Sequence, residues 1–317
     1  MADVVVLGSI NMDITVMLDE YPAAGDSIFV KSVSMAGGGK GANQAVAARK
    51  QGVDVAFISA VGDDAQGKQM LANLQHYDVD TQWVRVDPAY GTGTAVPIVD
   101  AAGENTILVC QGVNAHISAE QVRNALLGSN EAGTGTHPGI DAKVMLAQME
   151  TNDESVLEAL RLGRELGMFT ILDPAPADGF FPEVLAYADV VLPNHQETER
   201  ITGIDVRDEE SAIAAAKEIE RLGVPRAVVK MGSAGSVVYE NGSAVHVPAL
   251  EVEAVDTVGA GDTFAGALAA EFSRTGDLFA SVRYGTVAAG LKVAAGTGHP
   301  SIPCEAQVRE ELARLGW

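Results

Sequence analysis

The sequence predicts an α/β protein: a three-layer α/β/α sandwich around a mainly parallel sheet, with a small β-sheet lid. Three observations carry that expectation. Apolar runs at Val4–Leu7, Val53–Ile58, Lys143–Gln148, Met168–Leu172, Val190–Leu192 and Ala227–Val229 are nearly continuous, as strands buried on both faces are. Helical patterns alternate with them, the rhythm of repeated β-α units. Two stretches, 13–36 and 91–112, break that rhythm with hairpin-like material and no helix between.

The first strand, Val4–Leu7, is β-branched and ends at Gly8. Helices are expected over about 41–51, 64–76, 118–127, 152–166 and 209–222, with Leu157, Leu160, Leu162 and Leu166 marking one buried face. From Gly261 onward the chain reads as mostly helical, through about 261–274, 277–295 and 305–314. Thr94–Val99 and Thr106–Cys110 flank a polar turn, Ala101 to Asn105. Residues 1–12, 37–90 and 113–317 are therefore expected to form the core, and 13–36 with 91–112 the lid. Glu131–Pro138, rich in Gly and Thr, reads as a linker, and Asn241-Gly242 as a hairpin turn.

Composition narrows the function. With 317 residues the chain can bury roughly 75% of its unfolded surface. Its 21 basic and 43 acidic residues give a net charge of −22, which disfavours nucleic acid or an anionic membrane as partner. Cys110 and Cys304 form no CxxC and read as reduced thiols. Residues 1–10 read as a strand start rather than a signal peptide, and no apolar run reaches the ~18 residues of a membrane span. These features point to a soluble cytoplasmic protein.

The strongest local signal is the run from Asp256 to Phe264, where Gly259, Ala260 and Gly261 lead into an Ala-rich helix. The first N–H groups of such a helix are unpaired and sit at the positive end of its dipole, a site for phosphate or a developing oxyanion. Asp262 there reads either as a helix cap or as a base that takes a proton from an attacking hydroxyl. A second glycine run, Gly37 to Gly41, precedes Ala42, Asn43 and Gln44. Gly37, Gly39 and Ala42 fit a loose GxGxxA dinucleotide pattern, but one that follows hairpin material instead of the first strand. Gly62 to Gln69 has GxxxxGK spacing without the Ser/Thr hydroxyl that holds Mg²⁺, and reads as a strand-to-helix loop.

Asn11 and Asp13 follow the first strand, where open α/β sheets bind ligands. Their alternate spacing puts both on one side of an extended segment, able to grip vicinal sugar hydroxyls or to make an Asx turn. Asn194 and Glu197 close the strand Val190–Leu192 and read as a capping box, a metal-phosphate contact, or both. Gly232, Ser233 and Gly235 form a turn after Ala227–Lys230, open to a nucleotide or simply tight. The six histidines make no metal pair, and no nucleophile elbow is present.

Together GSINMD at 8–13, GGKGANQAVAA at 38–48, AGENTI at 102–107, PNHQE at 193–197, GSAG at 232–235 and DTVGAGDTF at 256–264 resemble the ribokinase/phosphofructokinase-B carbohydrate kinase family, in that family's order and across almost the whole chain. The resemblance implies phosphoryl transfer from ATP to the 5-hydroxyl of D-ribose. Asp262 matches the catalytic base, touching both sugar and ATP, and Gly259, Ala260 and Gly261 match the anion hole. Asn11, Asp13, Gly39, Lys40, Gly41, Ala42, Asn43 and Glu150 match sugar-holding positions. Asn194, Lys230, Gly232, Ser233, Gly235, Gly261 and Thr286 match the ATP side. Lys230 stands where threonine is frequent, so its role is open. Glu197 matches a residue associated with Mg²⁺.

The resemblance also implies a K⁺ activator on backbone carbonyls and one aspartate: Asp256 and Val258, then Lys292, Ala295, Thr297 and Ser301. Glycines at 296 and 298 depart from the family register there. A homodimer through paired lids is implied as well. The same chemistry on deoxyribose, fructose, a ketodeoxy sugar acid or a nucleoside is the near alternative, with Asp13 disfavouring an acid. A silent sugar sensor and a nicotinamide oxidoreductase are the other classes.

Overall fold

The computed structural model describes residues 2–102, 105–131 and 135–317. Its strands are β1 (Val4–Leu7), β2 (Asn11–Met17), β3 (Ser32–Gly38), β4 (Val55–Gly62), β5 (Val84–Asp87), β6 (Gly93–Val99), β7 (Asn105–Cys110), β8 (Gly128–Glu131), β9 (Gly135–Pro138), β10 (Val144–Gln148), β11 (Phe169–Asp173), β12 (Val190–Val191), β13 (Arg226–Lys230), β14 (Ser236–Glu240) and β15 (Ser243–Val247). Its α-helices are α1 (Lys40–Lys50), α2 (Ala65–His76), α3 (Ala119–Leu127), α4 (Asp153–Glu165), α5 (His195–Thr202), α6 (Glu209–Arg221), α7 (Ala260–Thr275), α8 (Leu278–Ala295) and α9 (Glu305–Leu315).

The central sheet runs β15-β14-β13-β12-β11-β10-β1-β4-β5. It is parallel from β13 to β5, with β14 and β15 antiparallel at one edge. Val4 of β1 pairs with Val144 and Val55, and Leu7 with Ala147 and Ile58. Val5 and Leu7 face the layer of α3, α4 and α6, while Val4 and Val6 face α1, α2, α7 and α8. Every β1 side chain is thus buried, at about 1.5–3 kcal/mol for each large aliphatic group. That two-sided burial is why these strands read as continuous apolar runs. Strand β1 lies between β10 and β4, which places a crevice at the carboxyl ends of the strands.

The lid is a second sheet, β3-β2-β6-β7. Strand β2 pairs antiparallel with β3 and parallel with β6, and β6 pairs antiparallel with β7. Its strands begin at Asn11, only four residues past β1, so the same segment belongs to lid and crevice. The polar turn between β6 and β7 lies partly outside the described residues, at Gly103 and Glu104.

Three details differ from the sequence reading. The buried face of α4 is Val156, Ala159, Leu160 and Gly163, with Leu162 beside it; Leu157 is half-buried and Leu166 is exposed. A Cβ on Gly163 would stand 3.0 Å from Met145 Cβ, so small residues bring this helix close to β10 and leucines are not its only buried side. Residues 131–138 are not only a linker: β8 and β9 pair as a short hairpin, with 132–134 outside the described residues. Strands β5, β14 and β15 were not expected from the apolar runs, although the turn at Asn241 and Gly242 has the positive φ values, 53° and 78°, of a tight hairpin.

Candidate active site

Helix α7 begins where Gly259 adopts φ 75°, a left-handed turn that aims the helix N-terminus at the crevice. Asp262 makes no capping hydrogen bond, which removes the cap alternative. Its buried carboxylate is instead held from the facing helix α1: Asn43 Nδ2 donates to Oδ2 at 3.0 Å, and Gln44 Nε2 to Oδ1 at 3.1 Å. Gln44 Nε2 also donates to Asp173 Oδ2 at 2.8 Å, and Gln148 Nε2 donates to Gln44 Oε1 at 2.7 Å. One amide on each oxygen fixes the direction in which Asp262 can take a proton. Within the turn, Ala260 N–H donates to Thr257 O at 3.2 Å, so of the three expected anion-hole groups this one is turned inward here.

Beside Asp262 the polar residues of the first two motifs converge. Asn114 Nδ2 donates to Asn11 Oδ1 at 2.8 Å and to Ile10 O at 3.0 Å, while Ile10 N donates to Asn114 Oδ1. This clamp holds Asn11 where the chain leaves the core for the lid. Gly39 has φ 89°, and a Cβ there would stand 2.7 Å from Asn11 N and 2.8 Å from Ser9 O. Only glycine allows that approach. Gly41 packs on Gly8, and Ala42 N donates to Ser9 O at 3.0 Å. Glu150 Oε2 accepts from Ser9 Oγ at 2.5 Å and from Lys40 N at 3.2 Å.

Electrostatics tie the set together. Burial, then the charges of Glu150 and Asp262, push the Asp13 carboxyl up to about 7. Burial works against the Lys40 ammonium, but Asp262, Asp173, Glu150 and Glu197 outweigh it and raise its pKa. His299 sits between Asn43 Oδ1 and Asn73 Oδ1, at 3.0 and 2.7 Å, and burial lowers its pKa to about 4. Its ring, with one nitrogen on each amide oxygen, buttresses Asn43.

On the other flank of α7, Lys230 Nζ lies 2.9 Å from Asp173 Oδ1 and 4.0 Å from where a Cβ of Gly261 would be. Its ammonium therefore stands at the mouth of the helix N-terminus. Asn194 and Glu197 form the capping box of α5: Glu197 accepts from Asn194 N at 2.7 Å and Nδ2 at 2.8 Å. Burial raises the Glu197 pKa, against the pull of Lys230. Gly232, Ser233 and Gly235 lie on the turn after β13. Thr286 is buried in α8, and no hydrogen bond joins it to this cluster among the described residues.

At the expected K⁺ positions the structure places a side-chain ammonium beside Asp256. Lys292 is 1% exposed, and its Nζ lies 3.1 Å from Asp256 O and 3.3 Å from Asp256 Oδ2. The ammonium thus meets one carbonyl and one carboxylate oxygen of the same residue. Val258 N donates to Asp256 Oδ1 at 3.0 Å; Ala295 and Thr297 are exposed, and Ser301 Oγ donates to Gly298 O at 2.7 Å.

Sequence reasoning missed Gln44, Asn114, Asp173 and His299. Asp173 ends β11 at the carboxyl edge of the sheet, a position that could have flagged it. The others act on partners more than a hundred residues away.

The sequence pattern that defines the pfkB family carbohydrate kinases matches residues 1–303. The chain belongs to that family. It is therefore a sugar kinase, and the close placement of Asp262, the glycine turn and the polar cluster fits that chemistry. It is 33% identical to a ribokinase of Haemophilus influenzae, covering 97% of each chain. It is 31% identical to a deoxyribokinase of Salmonella typhi, over 98% of this chain and 99% of that one. The structure of an Arabidopsis thaliana ribokinase complexed with ribose and ATP matches with a TM-score of 0.88 at 30% identity, covering 98% of each. Among the described residues no helix is long and apolar enough to cross a membrane.

Proposed function

We propose that this kinase uses ATP to phosphorylate the 5-hydroxyl of D-ribose, giving D-ribose 5-phosphate and ADP. The observation that carries the proposal is the Asp262 carboxylate, held by Asn43 and Gln44 between the N-terminus of α7 and the Asn11, Asp13, Lys40 and Glu150 cluster. Sugar hydroxyls have paired acceptors in Asp13 and Glu150 and an amide in Asn11. Asp262 takes the proton as the hydroxyl oxygen bonds to the γ-phosphorus and the bond to the ADP oxygen breaks. Gly259 and Gly261 N–H groups, with Lys230, stabilise the charge on the moving group, and Lys40 steadies the sugar side.

Five carboxylates, Asp13, Glu150, Asp173, Glu197 and Asp262, surround two ammonium groups in this crevice. A triphosphate therefore needs further positive charge. Among the described residues no three acidic, His or Cys side chains gather to hold a resident metal. Glu197, fixed by Asn194, would be the residue to face Mg²⁺ arriving on the nucleotide. When bound, Mg²⁺ supplies neutralisation of the phosphate oxygens. K⁺ is left out of the reading, since Lys292 holds Asp256.

The lid supports a homodimer. Cross-strand pairs Ile14 with Met35, Val16 with Val33 and Ile98, and Val96 with Leu108 form one apolar face, opposite to that of Asp13, and Val33 and Leu108 are each 57% exposed. The free, exposed thiols of Cys110 and Cys304 suit the cytoplasm.

A panel of ribose, 2-deoxyribose, fructose and a nucleoside, with ATP and Mg²⁺ and ADP release as readout, tests the reading. Ribose is expected to give the highest kcat/KM. A higher value for another acceptor overturns the ribose assignment, with deoxyribose included because of the Salmonella relative. Absence of acceptor-dependent ADP release overturns the kinase reading in favour of a sensor.

A further inference from the structure

We propose that the Lys292 ammonium is a built-in monovalent cation that takes the place of K⁺ beneath the phosphate-binding turn. The proposal deepens the kinase reading and rests on it. Lys292 comes from the last turn of α8 and reaches under residues 256–259, with its Cε 3.9 Å from where a Cβ on Gly259 would be. Its Nζ meets one backbone oxygen and one carboxylate oxygen of Asp256. Those are the two ligand types a dehydrated alkali cation takes, and an ammonium carries the same single charge.

The surroundings make the substitution purposeful. A buried charge is tolerated only when paired and hydrogen-bonded, and Lys292 is paired with Asp256 and with nothing else among the described residues. Asp256 is fixed in turn: its Oδ1 accepts from Val258 N at 3.0 Å, and its own N and that of Val255 donate to Val293 O at 3.1 and 3.0 Å. The segment entering the anion hole is thus tied to the end of α8 by backbone bonds and by Lys292. Without a cation, the Asp256 carboxylate would stand unneutralised three residues before Gly259 and repel the incoming phosphates. With Lys292 in place, a second cation would meet a like charge at contact distance.

Lys292 is therefore a positioning residue whose effect runs through the turn. The test compares wild type with Lys292→Ala in KCl and in choline chloride at equal ionic strength, so that screening is constant. Wild type is expected to differ less than about two-fold between the salts, whereas Lys292→Ala loses on the order of 10²-fold in kcat/KM in choline, the size of effect seen when an anion-hole group is removed. K⁺ is expected to restore at least about ten-fold of that loss, with Li⁺ failing, because the cavity is the size of the lost ammonium. Melting temperature gives a readout free of any sugar: K⁺ raises that of Lys292→Ala by several degrees and leaves wild type unchanged.

Because the thermal shift needs no acceptor, failure of the ribose assignment and failure of this proposal are separately visible. Wild type activated several-fold by K⁺ overturns the proposal. So does a folded Lys292→Ala whose activity and melting temperature are indifferent to K⁺. Should Lys292→Ala not fold, the wild-type salt comparison decides alone.

Discussion

The carboxyl edge of the central sheet and the lid sheet both border the crevice, but they are built by opposite means. At the core edge, Asp173 ends β11, Asp262 lies in the first turn of α7 and Glu150 follows β10, and each is fixed by amide or hydroxyl donors from elsewhere in the core. On the lid, Asp13 projects from a sheet whose outer strands, β3 and β7, are exposed along most of their length. The core fixes its carboxylates by buried hydrogen bonds; the lid presents its own from a largely exposed sheet. Asn11 and Gly39 sit at the join, and their tight packing decides how accurately the two meet.

Truncation should separate the regions most strongly by stability. Leu146→Ala, at the buried centre of β10, is expected to cost about 2–5 kcal/mol in chemical denaturation. A cost comparable to that of an exposed site would break the comparison. Next, Asn114→Ala strips the clamp from Ile10 and Asn11 and leaves buried backbone groups unpaired, at about 1–3 kcal/mol, with sugar KM rising more than kcat falls. Unchanged KM would mean the join does not set the lid.

Smaller still, Leu108→Ala in the lid should change protomer stability by within about 0.5 kcal/mol, as exposed positions do, while weakening self-association in sedimentation. A further effect concerns pH. Asp13 titrates at about 7 in the folded protein against a model-peptide value near 3.8. Between those values the folded protein keeps a proton that the unfolded chain has lost, so stability falls as pH rises through that window and levels above it. Asp13→Asn should flatten this part of a melting-temperature profile, and a profile identical to wild type would remove Asp13 from the crevice's charge cluster.

How much of this was legible in the sequence follows from the same contrast. Two-sided burial writes itself as continuous apolar runs, so β1, β4, β10 and β11 were readable, and the lid was readable as the place where that rhythm stops. Helix α4 was misread because Ala159 and Gly163, not leucines alone, make its close approach to β10. Hairpin β8-β9 carries no apolar alternation and left only a Gly/Thr-rich signature. Asp262 was visible because glycines and an acid adjoin it locally. Gln44 and Asn114 were not, since their meaning lies in partners 218 and 104 residues away. Lys292 was named for its backbone carbonyl, and a resemblance of that kind says nothing about where the side chain goes, which is to Asp256.

The central claim is that Asp262 is the base at the meeting point of the two regions. The most direct measurement pairs turnover with calorimetric sugar binding for Asp262→Asn. The account predicts kcat lowered by at least about 10²–10⁴-fold, the range for removing a general base, with ribose still binding within a few-fold of wild type. Near-wild-type turnover, or turnover and binding lost in equal measure, would contradict it.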